Sequence, residues 1–261
     1  MPSSNSSNDF SLEGKGALVV GAEHPIGRAA AVALAEAGAK IVLASQEPGT
    51  DKQLKEVAKL VAAAGTKAVV RVQDAASRAD VSATADLAAK EVGGLHILVN
   101  ALDTPAFGPA EAGDDTAFDK IMENNLKTVW MSCQEGARVM LRQGGGVIVN
   151  ITSVLAERGV PNAALYCAAK GAVLNLTRAL ALEWARKGIR VNAIEAGWLD
   201  DESSPASKDD EFSKTLLKYL PDDKLVKPEE LGGALLYLVS PAAGFVTGES
   251  IAVDGGLRAR V

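Results

Sequence analysis

The sequence predicts an α/β protein built on a single doubly wound parallel sheet of about seven strands, with helices on both faces. Three observations lead to this prediction. Short apolar runs recur along the 261 residues, stretches with helical patterning lie between them, and the runs are apolar almost without interruption. Unbroken apolar runs are typical of strands covered on both faces, as in a parallel sheet. Repeated β–α alternation is typical of doubly wound folds.

The elements follow one another in that alternation. The predicted strands are residues 16–20, 40–44, 67–72, 95–100, 146–151, 189–194 and 250–254. Helical patterning is clearest at 27–38, 51–65 and 164–188. Each of these helices ends on a glycine, which is the residue that helix C-termini prefer.

No linker or break in composition divides the chain, so residues 11–261 are expected to form one domain. The polar, serine-rich residues 1–10 are expected to be a disordered tail. Residues 199–228 are polar, acidic and bounded by proline, and they lie between the last two strands. In that position they are expected to form a lid over a ligand crevice, since long loops in compact domains are usually functional or disordered. The alternative is a solvated surface excursion.

Composition excludes several classes of function. A net charge of −6 gives no basic surface for nucleic acid or an anionic membrane. No apolar run is long enough to span a membrane, and residues 1–10 lack the basic and apolar parts of a signal peptide, so neither a membrane span nor a signal peptide is expected. Cys133 and Cys167 are too few for a disulfide framework, and no Cys/His cluster suggests a metal. With only His24 and His96 as histidines, a Ser-His-Asp hydrolase is not expected. The sequence therefore predicts a cytoplasmic, reduced, metal-free protein.

The stretch VVGAEHPIG, Val19–Gly27, has the layout of a phosphate-binding turn in a Rossmann-type sheet. An apolar strand leads to Gly21, and a helix begins near Gly27, where its N-terminal amides and dipole favour a phosphate. Pro25 stands where such turns usually have a second glycine, and proline has no N–H and a fixed φ. Near the first turn of a helix both properties are tolerated. We therefore expect a nucleotide cofactor with a weaker or shifted pyrophosphate contact.

The second strand run is followed by Ser45 and Gln46. An acidic residue there would bind a ribose 2′-hydroxyl and repel a 2′-phosphate, so its absence permits NADP. No arginine follows, and only His24 could add a weakly basic contact. The prediction is an NAD(P) cofactor with a slight preference for NADP.

Tyr166 and Lys170 stand at i and i+4 on a predicted helix, so their side chains share one face. A lysine ammonium beside a phenol is expected to lower the phenol pKa from about 10 toward neutrality. Such a phenol can exchange a proton with a substrate oxygen. Ser153 ends a buried strand at the edge of the expected crevice, where its hydroxyl can hold that oxygen. The alternative is an ordinary helix pair that faces solvent or core.

Together these residues resemble the short-chain dehydrogenase/reductase family, from about Leu12 to Gly256. The matching pieces are Gly21 and Gly27 in the first turn, Asp74 after the third strand, LVN ending at Asn100, Asn125-Leu126, Ser153, Tyr166-xxx-Lys170, RVNAI and VTGESIAVDGG. The order of these pieces is specific, and Ser153 precedes Tyr166 by thirteen residues, as in the family.

The resemblance implies an NAD(P)-dependent oxidoreductase that interconverts a ketone and a secondary alcohol on a small molecule. It implies that Tyr166 is the general acid/base and that Ser153 polarises the carbonyl. Lys170 would tune Tyr166 and hold the nicotinamide ribose, and Asn125 would anchor a water in the proton relay. The implied cofactor-binding positions are Gly21, His24, Ile26, Gly27, Ser45, Gln46, Asp74, Ala75, Asn100, Ala101, Tyr166, Lys170, Gly197 and Leu199.

Two further implications concern Asp74 and assembly. Asp74 would contact the adenine, although a short polar residue there could merely cap the next helix. The helices that carry Trp130 and Tyr166 commonly form subunit contacts in the family, so a homo-oligomer, tetramer or dimer, is expected.

The chain departs from the family pattern at several positions. Val20 replaces a threonine, and Pro25 replaces a glycine. The usual Asn-Asn-Ala-Gly reads Asn100-Ala101-Leu102-Asp103, and the usual Pro-Gly reads Ala196-Gly197. Asp201 stands in the register of a threonine near the cofactor phosphates, where a carboxylate is unfavourable unless it points away.

Three functions therefore stay open from the sequence. The complete Asn-Ser-Tyr-Lys set favours an active oxidoreductase, whereas the altered cofactor turns favour a catalytically weak or inactive binding or regulatory protein on the same fold. A different Rossmann-type enzyme, such as a methyltransferase, would leave the set unexplained. The acidic segment 199–228 should repel acidic carrier proteins, so a free small-molecule substrate is expected.

Overall fold

The computed structural model describes residues 9–74, 77–201, 204, 210–221 and 223–259. The strands are β1 (Gly16–Val20), β2 (Lys40–Ser45), β3 (Ala68–Val72), β4 (Ile97–Asn100), β5 (Gly146–Ser153), β6 (Ile189–Ala196) and β7 (Ser250–Val253). The helices are α1 (Pro25–Glu36), α2 (Asp51–Ala63), α3 (Arg78–Val92), α4 (Asp115–Met122), α5 (Thr128–Arg142), α6 (Ala164–Trp184), α7 (Asp210–Leu217) and α8 (Gly232–Val239). All seven predicted strands are confirmed, each within two residues of its predicted bounds.

The strands form one sheet in the order β3-β2-β1-β4-β5-β6-β7, and every pairing is parallel. The chain starts in the middle, runs outward to β3, returns to β4 beside β1, and then runs outward to β7. The order reverses between β1 and β4. In such sheets ligands bind outside the carboxyl ends of the strands at this reversal. The predicted doubly wound architecture is therefore confirmed.

Helices cover both faces of the sheet, which explains why the strands are apolar on successive residues. In β1, Ala17 and Val19 pack toward α1, α2 and α8. The alternate residues Leu18 and Val20 pack toward α3, α5 and α6. Because successive side chains of a strand point to opposite faces, an apolar residue is required at each position.

The helix bounds differ from prediction at their ends. The first helix begins at Pro25, two residues earlier than predicted, because proline already has a helical φ and its missing N–H costs nothing in the first turn. The long sixth helix ends at Trp184, and a 3₁₀ turn leads to Gly188 at φ 80°. This left-handed conformation confirms the predicted glycine stop.

The ends of the chain and the segment 199–228 are described only in part. Residues 1–8 of the predicted tail, and residues 202–203, 205–209 and 222 of the predicted lid, lie outside the described residues. Within the lid segment, Leu199 forms a bridge with Val226, and α7 lies between them in sequence. Among the described residues, no helix is long and apolar enough to cross a membrane, and no His/Cys/Asp/Glu group suited to a metal ion is found.

Candidate active site

The first turn of the crevice, which we call the glycine turn (Gly21–Gly27), is built from close backbone approaches. Gly21 has φ 81°, and a Cβ there would lie 2.6 Å from the Ala101 carbonyl oxygen. A Cβ on Gly27 would lie 2.0 Å from the Gly21 carbonyl oxygen. Only glycine fits either position. The predicted roles of both glycines in a tight turn and a close helix–strand contact therefore agree with the backbone.

The amino end of α1 suits a phosphate group. The helix starts at Pro25, and the side chain of His24, its N-cap residue, makes no capping hydrogen bond. The first amides of a helix have no partner within the helix, and they carry the positive end of its dipole. A dinucleotide pyrophosphate fits this end of the crevice. Ile26, in the first turn of α1, is buried and lines the same crevice as Ser153, Tyr166 and Lys170.

In the part of the chain that the structure describes, buried polar atoms without a hydrogen-bond partner lie near the carboxyl ends of β1, β2 and β3. They are both carboxylate oxygens of Glu23, Nε2 of Gln46, and both amide atoms of Gln73. Backbone hydrogen bonds hold these three segments together: Ala22 N–H donates to the Ala44 carbonyl at 3.1 Å, and Gln73 N–H donates to the Ser45 carbonyl at 2.9 Å. Buried polar groups normally find a partner, so this edge suits a polar ligand such as a nucleoside.

Two predicted cofactor residues of this region have other surroundings, and a third is not among the described residues. The Ser45 hydroxyl is buried and accepts hydrogen bonds from the Thr50 hydroxyl at 2.7 Å and the Glu47 amide at 3.1 Å, so it shapes the turn into α2. Asp74 is exposed, whereas its neighbour Gln73 is 3% exposed. Ala75 lies outside the described residues.

The helix-cap alternative for Asp74 is wrong. The N-cap residue of α3 is Ser77, whose side chain accepts from the Asp80 amide. Glu23 and Gln73 are residues that the sequence reasoning missed. For Gln73 the signal was a polar residue directly after an apolar strand, and each of the two residues lies one position away from one that the family pattern selects.

The turn after β4, which we call the strand-4 turn (Asn100–Asp103), forms the wall opposite the glycine turn. Asn100 is fully buried, and its amide donates to the Asn150 side-chain oxygen at 2.8 Å. Asn150 in turn donates to the Thr177 hydroxyl at 2.9 Å. Asn100 therefore ties β4 to β5 and α6. Ala101 contributes its backbone to the contact with Gly21.

Tyr166 and Lys170 face the same crevice from α6, and Ser153 faces it from the end of β5. The Lys170 side chain is 2% exposed, and its ammonium lies 5.4 Å from the centre of the Tyr166 ring. That ammonium donates to the Leu102 carbonyl at 2.8 Å. The predicted convergence of a phenol, an ammonium and a hydroxyl is thus present in the geometry.

Asp103 joins this group. Its Oδ1 accepts a hydrogen bond from the Tyr166 hydroxyl at 2.7 Å and lies 2.9 Å from the Lys170 ammonium. Burial favours the neutral acid, but the charge and hydrogen bond of Lys170 and the hydrogen bond of Tyr166 outweigh it, so the pKa of Asp103 is lowered. Asp103 is therefore a carboxylate at neutral pH.

Burial, together with the Asp103 carboxylate, shifts the pKa of Tyr166 in the direction opposite to the one expected. Burial and the neighbouring Asp103 raise the pKa of Tyr166 well above its usual value, while a hydrogen bond with Ser153 opposes the rise. The expected lowering of this pKa is not found in this arrangement, because burial disfavours the tyrosinate and the Asp103 carboxylate places a like charge beside it.

Asn125 lies in a π-helical segment, Glu123–Lys127, between α4 and α5. Its Oδ1 accepts from the Thr104 amide at 3.0 Å, and its Nδ2 donates to the Thr104 carbonyl at 2.9 Å. Nδ2 also lies 3.3 Å from the Ile121 carbonyl. The side chain thus fixes the backbone directly after the strand-4 turn.

Aromatic side chains form the outer wall of the crevice. The Phe107 ring is stacked with the Tyr166 ring at 6.1 Å and with the Trp198 ring at 6.0 Å between centroids. Leu199 lines the same space, and Gly197 passes so close to β7 that a Cβ would lie 2.8 Å from Asp254 Cα. The sequence reasoning missed Phe107 and Trp198, since isolated aromatics in loops carry no period.

His24 and Asp201, which the sequence analysis also considered, lie in different surroundings: His24 lines the crevice, and Asp201 makes a hydrogen bond within its own loop. His24 lines the same side of the crevice as Leu199 and Asp103. Asp201 Oδ1 accepts from the Ser204 amide at 3.1 Å, so this carboxylate takes part in the local turn of its own loop.

Known proteins resemble this chain over nearly its whole length. A family model described as enoyl-(acyl carrier protein) reductase matches residues 20–258. A 2-dehydro-3-deoxy-D-gluconate 5-dehydrogenase of Dickeya dadantii (strain 3937) is 36% identical over 256 residues, which are 97% of this chain and 99% of that protein.

Two solved structures share the fold closely. A gluconate 5-dehydrogenase from Burkholderia cenocepacia J2315, in complex with NADP and tartrate, has a TM-score of 0.92 at 36% identity and covers 98% of this chain and 100% of its own. A 7α-hydroxysteroid dehydrogenase complexed with NADH and 7-oxo glycochenodeoxycholic acid has a TM-score of 0.90 at 31% identity, with 96% of each chain covered.

Proposed function

The chain belongs to the short-chain dehydrogenase/reductase family, and from that premise we propose that Tyr166, Ser153 and Lys170 carry out its chemistry. The protein is an NAD(P)-dependent oxidoreductase that interconverts a ketone and a secondary alcohol on a small molecule. The observation that supports the proposed residues is their convergence on one crevice, at the point where the strand order reverses.

In this proposal the bound nicotinamide supplies or accepts the hydride. The Tyr166 hydroxyl gives its proton to the carbonyl oxygen during reduction and takes it back during oxidation. The Ser153 hydroxyl donates a hydrogen bond to the same oxygen and orients it. Lys170 would hold the ribose, and the amino end of α1 would hold the pyrophosphate. Asn125 supports the crevice wall through its two hydrogen bonds with Thr104.

The test is Tyr166→Phe. It should lower kcat by about 10²–10⁴-fold, because only the hydroxyl that transfers the proton is lost. Cofactor binding, followed by nicotinamide fluorescence, should stay within about threefold, because Lys170 and the amino end of α1 would still hold the ribose and the pyrophosphate. Tyr237→Phe, the same change in α8, is the matched control and should leave both unchanged. Retained turnover in Tyr166→Phe would refute the proposed acid/base.

The alternative of a catalytically weak or inactive protein on this fold is favoured by one observation, the Asp103 carboxylate on Tyr166 and Lys170. It makes a separate prediction. A protein without cofactor function would bind neither NADH nor NADPH at millimolar concentration.

We propose a slight preference for NADP over NAD. The residue directly after β2 is Gln46, which is not acidic, and His24 lies in the glycine turn. The preference is slight because the buried Glu23 carboxylate opposes a 2′-phosphate. The ratio of the dissociation constants for NADPH and NADH measures the preference, and Glu23→Gln should shift it further toward NADPH.

Assembly, location and closure complete the proposal. Trp130, Leu126 and Leu176 line an open apolar depression between α5 and α6, which supports a homodimer or homotetramer. Both cysteines are free, which suits a reducing cytoplasmic setting.

Residues 11–261 are proposed as one domain, with 199–228 as its substrate lid. Leu199 and Ser204 line the crevice, which supports the lid. Ultracentrifugation tests the assembly, and limited proteolysis with and without substrate tests the lid.

A further inference from the structure

Asp103 occupies the centre of the catalytic group, at a position where the family pattern has a glycine. Its Oδ1 is 2.7 Å from the Tyr166 hydroxyl and 2.9 Å from the Lys170 ammonium. The remaining described acceptor of that ammonium is the Leu102 carbonyl at 2.8 Å. The carboxylate thus engages the two side chains that the proposed function requires for substrate and cofactor.

The backbone on both sides of Asp103 is fixed. Ala101 N–H donates to the Val20 carbonyl at 2.8 Å, and Thr104 exchanges two hydrogen bonds with the Asn125 amide. Asp103 can therefore leave Lys170 mainly by rotation about its own side-chain bonds. Its side chain is 30% exposed, and it borders a cavity that is also lined by His24, so there is room for that rotation.

We propose that Asp103 is a competitive gate for the dinucleotide: its carboxylate occupies the hydrogen-bonding positions on Tyr166 and Lys170 that the nicotinamide ribose needs. The cofactor binds when the carboxylate turns away toward the side of the crevice lined by His24. This inference rests on the proposed function. It assigns to Asp103 a role in setting cofactor affinity, in addition to the residues that perform the reaction.

The physical reason is competition between two sets of acceptors for the same donors. A ribose hydroxyl offers a neutral oxygen, whereas Asp103 offers a charged one, so Asp103 attracts the Lys170 ammonium by a Coulomb interaction that the ribose cannot supply. The apparent dissociation constant of a ligand equals its intrinsic value divided by the fraction of protein in the conformation that can bind it, so a rarer binding conformation means weaker binding. The paired state of Asp103 therefore weakens cofactor binding, and removal of its charge or of its side chain should strengthen that binding.

The first test compares dissociation constants of NADH and NADPH, measured by nicotinamide fluorescence, for the wild type, Asp103→Asn and Asp103→Gly. Asparagine keeps the shape and removes the charge, and glycine removes the side chain. We expect binding to tighten by about 10- to 100-fold in Asp103→Gly and by a smaller factor in Asp103→Asn. Asp119→Asn, an exposed change of the same kind on α4, should leave both constants unchanged.

The second readout needs no cofactor. Tyrosinate absorbance is followed against pH in the wild type and in Asp103→Asn. To isolate the signal of Tyr166, the titration of Tyr166→Phe is subtracted from the first and that of the double variant Asp103→Asn, Tyr166→Phe from the second. Removal of the carboxylate should move the Tyr166 titration to lower pH, because a like charge then no longer opposes the tyrosinate. A residue that only supports the fold would leave the titration in place.

The outcomes separate the two proposals. If the wild type binds either cofactor while Asp103→Gly binds it equally or more weakly, the gate is refuted and the proposed function stands. An unchanged Tyr166 titration also refutes the gate. If neither the wild type nor the variants bind NADH or NADPH at millimolar concentration, the proposed function fails and the gate fails with it.

Discussion

The glycine turn and the strand-4 turn both depart from the family pattern, but the departures differ in kind. In the glycine turn, Pro25 replaces a glycine and the backbone keeps its course, since the proline becomes the first residue of α1. In the strand-4 turn, Asp103 replaces a glycine, and its carboxylate accepts a hydrogen bond from Tyr166 and forms an ion pair with Lys170. The two turns touch, because Gly21 packs on the Ala101 carbonyl.

This difference shows what each turn contributes. A phosphate site made of backbone amides tolerates any residue whose φ the turn allows. A site made of side chains changes its chemistry as soon as a new charged group reaches it. The number of motif departures is therefore a poor measure of lost function, and what each new side chain contacts decides the effect.

The glycine turn tolerates a new side chain only where there is space for it. Gly27→Ala places a side chain where there is none, and we expect it to have the largest effect on stability of the variants considered. The new Cβ would lie 2.0 Å from the Gly21 carbonyl oxygen, so α1 or β1 must shift. We expect a loss of about 3 kcal/mol or more in the free energy of unfolding, measured by urea denaturation. Cofactor binding by the remaining folded protein should also be lost.

Gly233→Ala is the matched control, because nothing lies within 4 Å of a Cβ added to this residue of α8. Alanine is favoured over glycine within a helix by about 0.5–1 kcal/mol, so the control should be neutral or slightly stabilising. If both variants lose stability equally, the short distance between residue 27 and the Gly21 carbonyl oxygen is not the reason that a glycine is needed at position 27.

The contrast also marks what the sequence could predict. The strands followed from their apolar runs, and Gly21, Gly27, Tyr166 and Lys170 followed from spacing, because periodicity and local distance are written in the chain. The contact of Asp103 with Lys170 could not be predicted, since it joins residues 67 positions apart whose side-chain directions depend on the whole sheet. For the same reason, the raised pKa of Tyr166 was missed.

The effect of a buried charge can also be tested at a second carboxylate, which lies in β6. Glu195 in β6 is fully buried, and its Oε1 accepts from Arg258 at 2.8 Å. Arg258→Ala would leave that carboxylate without its cation. Since the guanidinium is 36% exposed, we expect a loss of about 2 kcal/mol in the free energy of unfolding, less than for a fully buried pair.

Arg178→Ala is the control for this prediction. Arg178 pairs with Glu157 at 3.3 Å, and both side chains are at least one-third exposed, so its loss should cost about 0–1 kcal/mol. Arg258 also pairs with Glu157, so the difference between the two variants isolates the contribution of Glu195. If the two variants lose the same free energy of unfolding, the buried Glu195 carboxylate does not depend on Arg258 for its stability.

Pro25→Gly restores the family residue in the glycine turn and should have the smallest effect. Glycine adds one amide at the start of α1, so cofactor dissociation constants should fall by no more than about threefold. The freer unfolded chain should lower the free energy of unfolding by about 0.4–1 kcal/mol. Pro241→Gly changes another first-turn proline, away from the crevice, and should lower stability in the same way without changing binding. A tightening beyond about tenfold in Pro25→Gly would mean that the proline obstructs the pyrophosphate, and the two turns would then both restrict the cofactor.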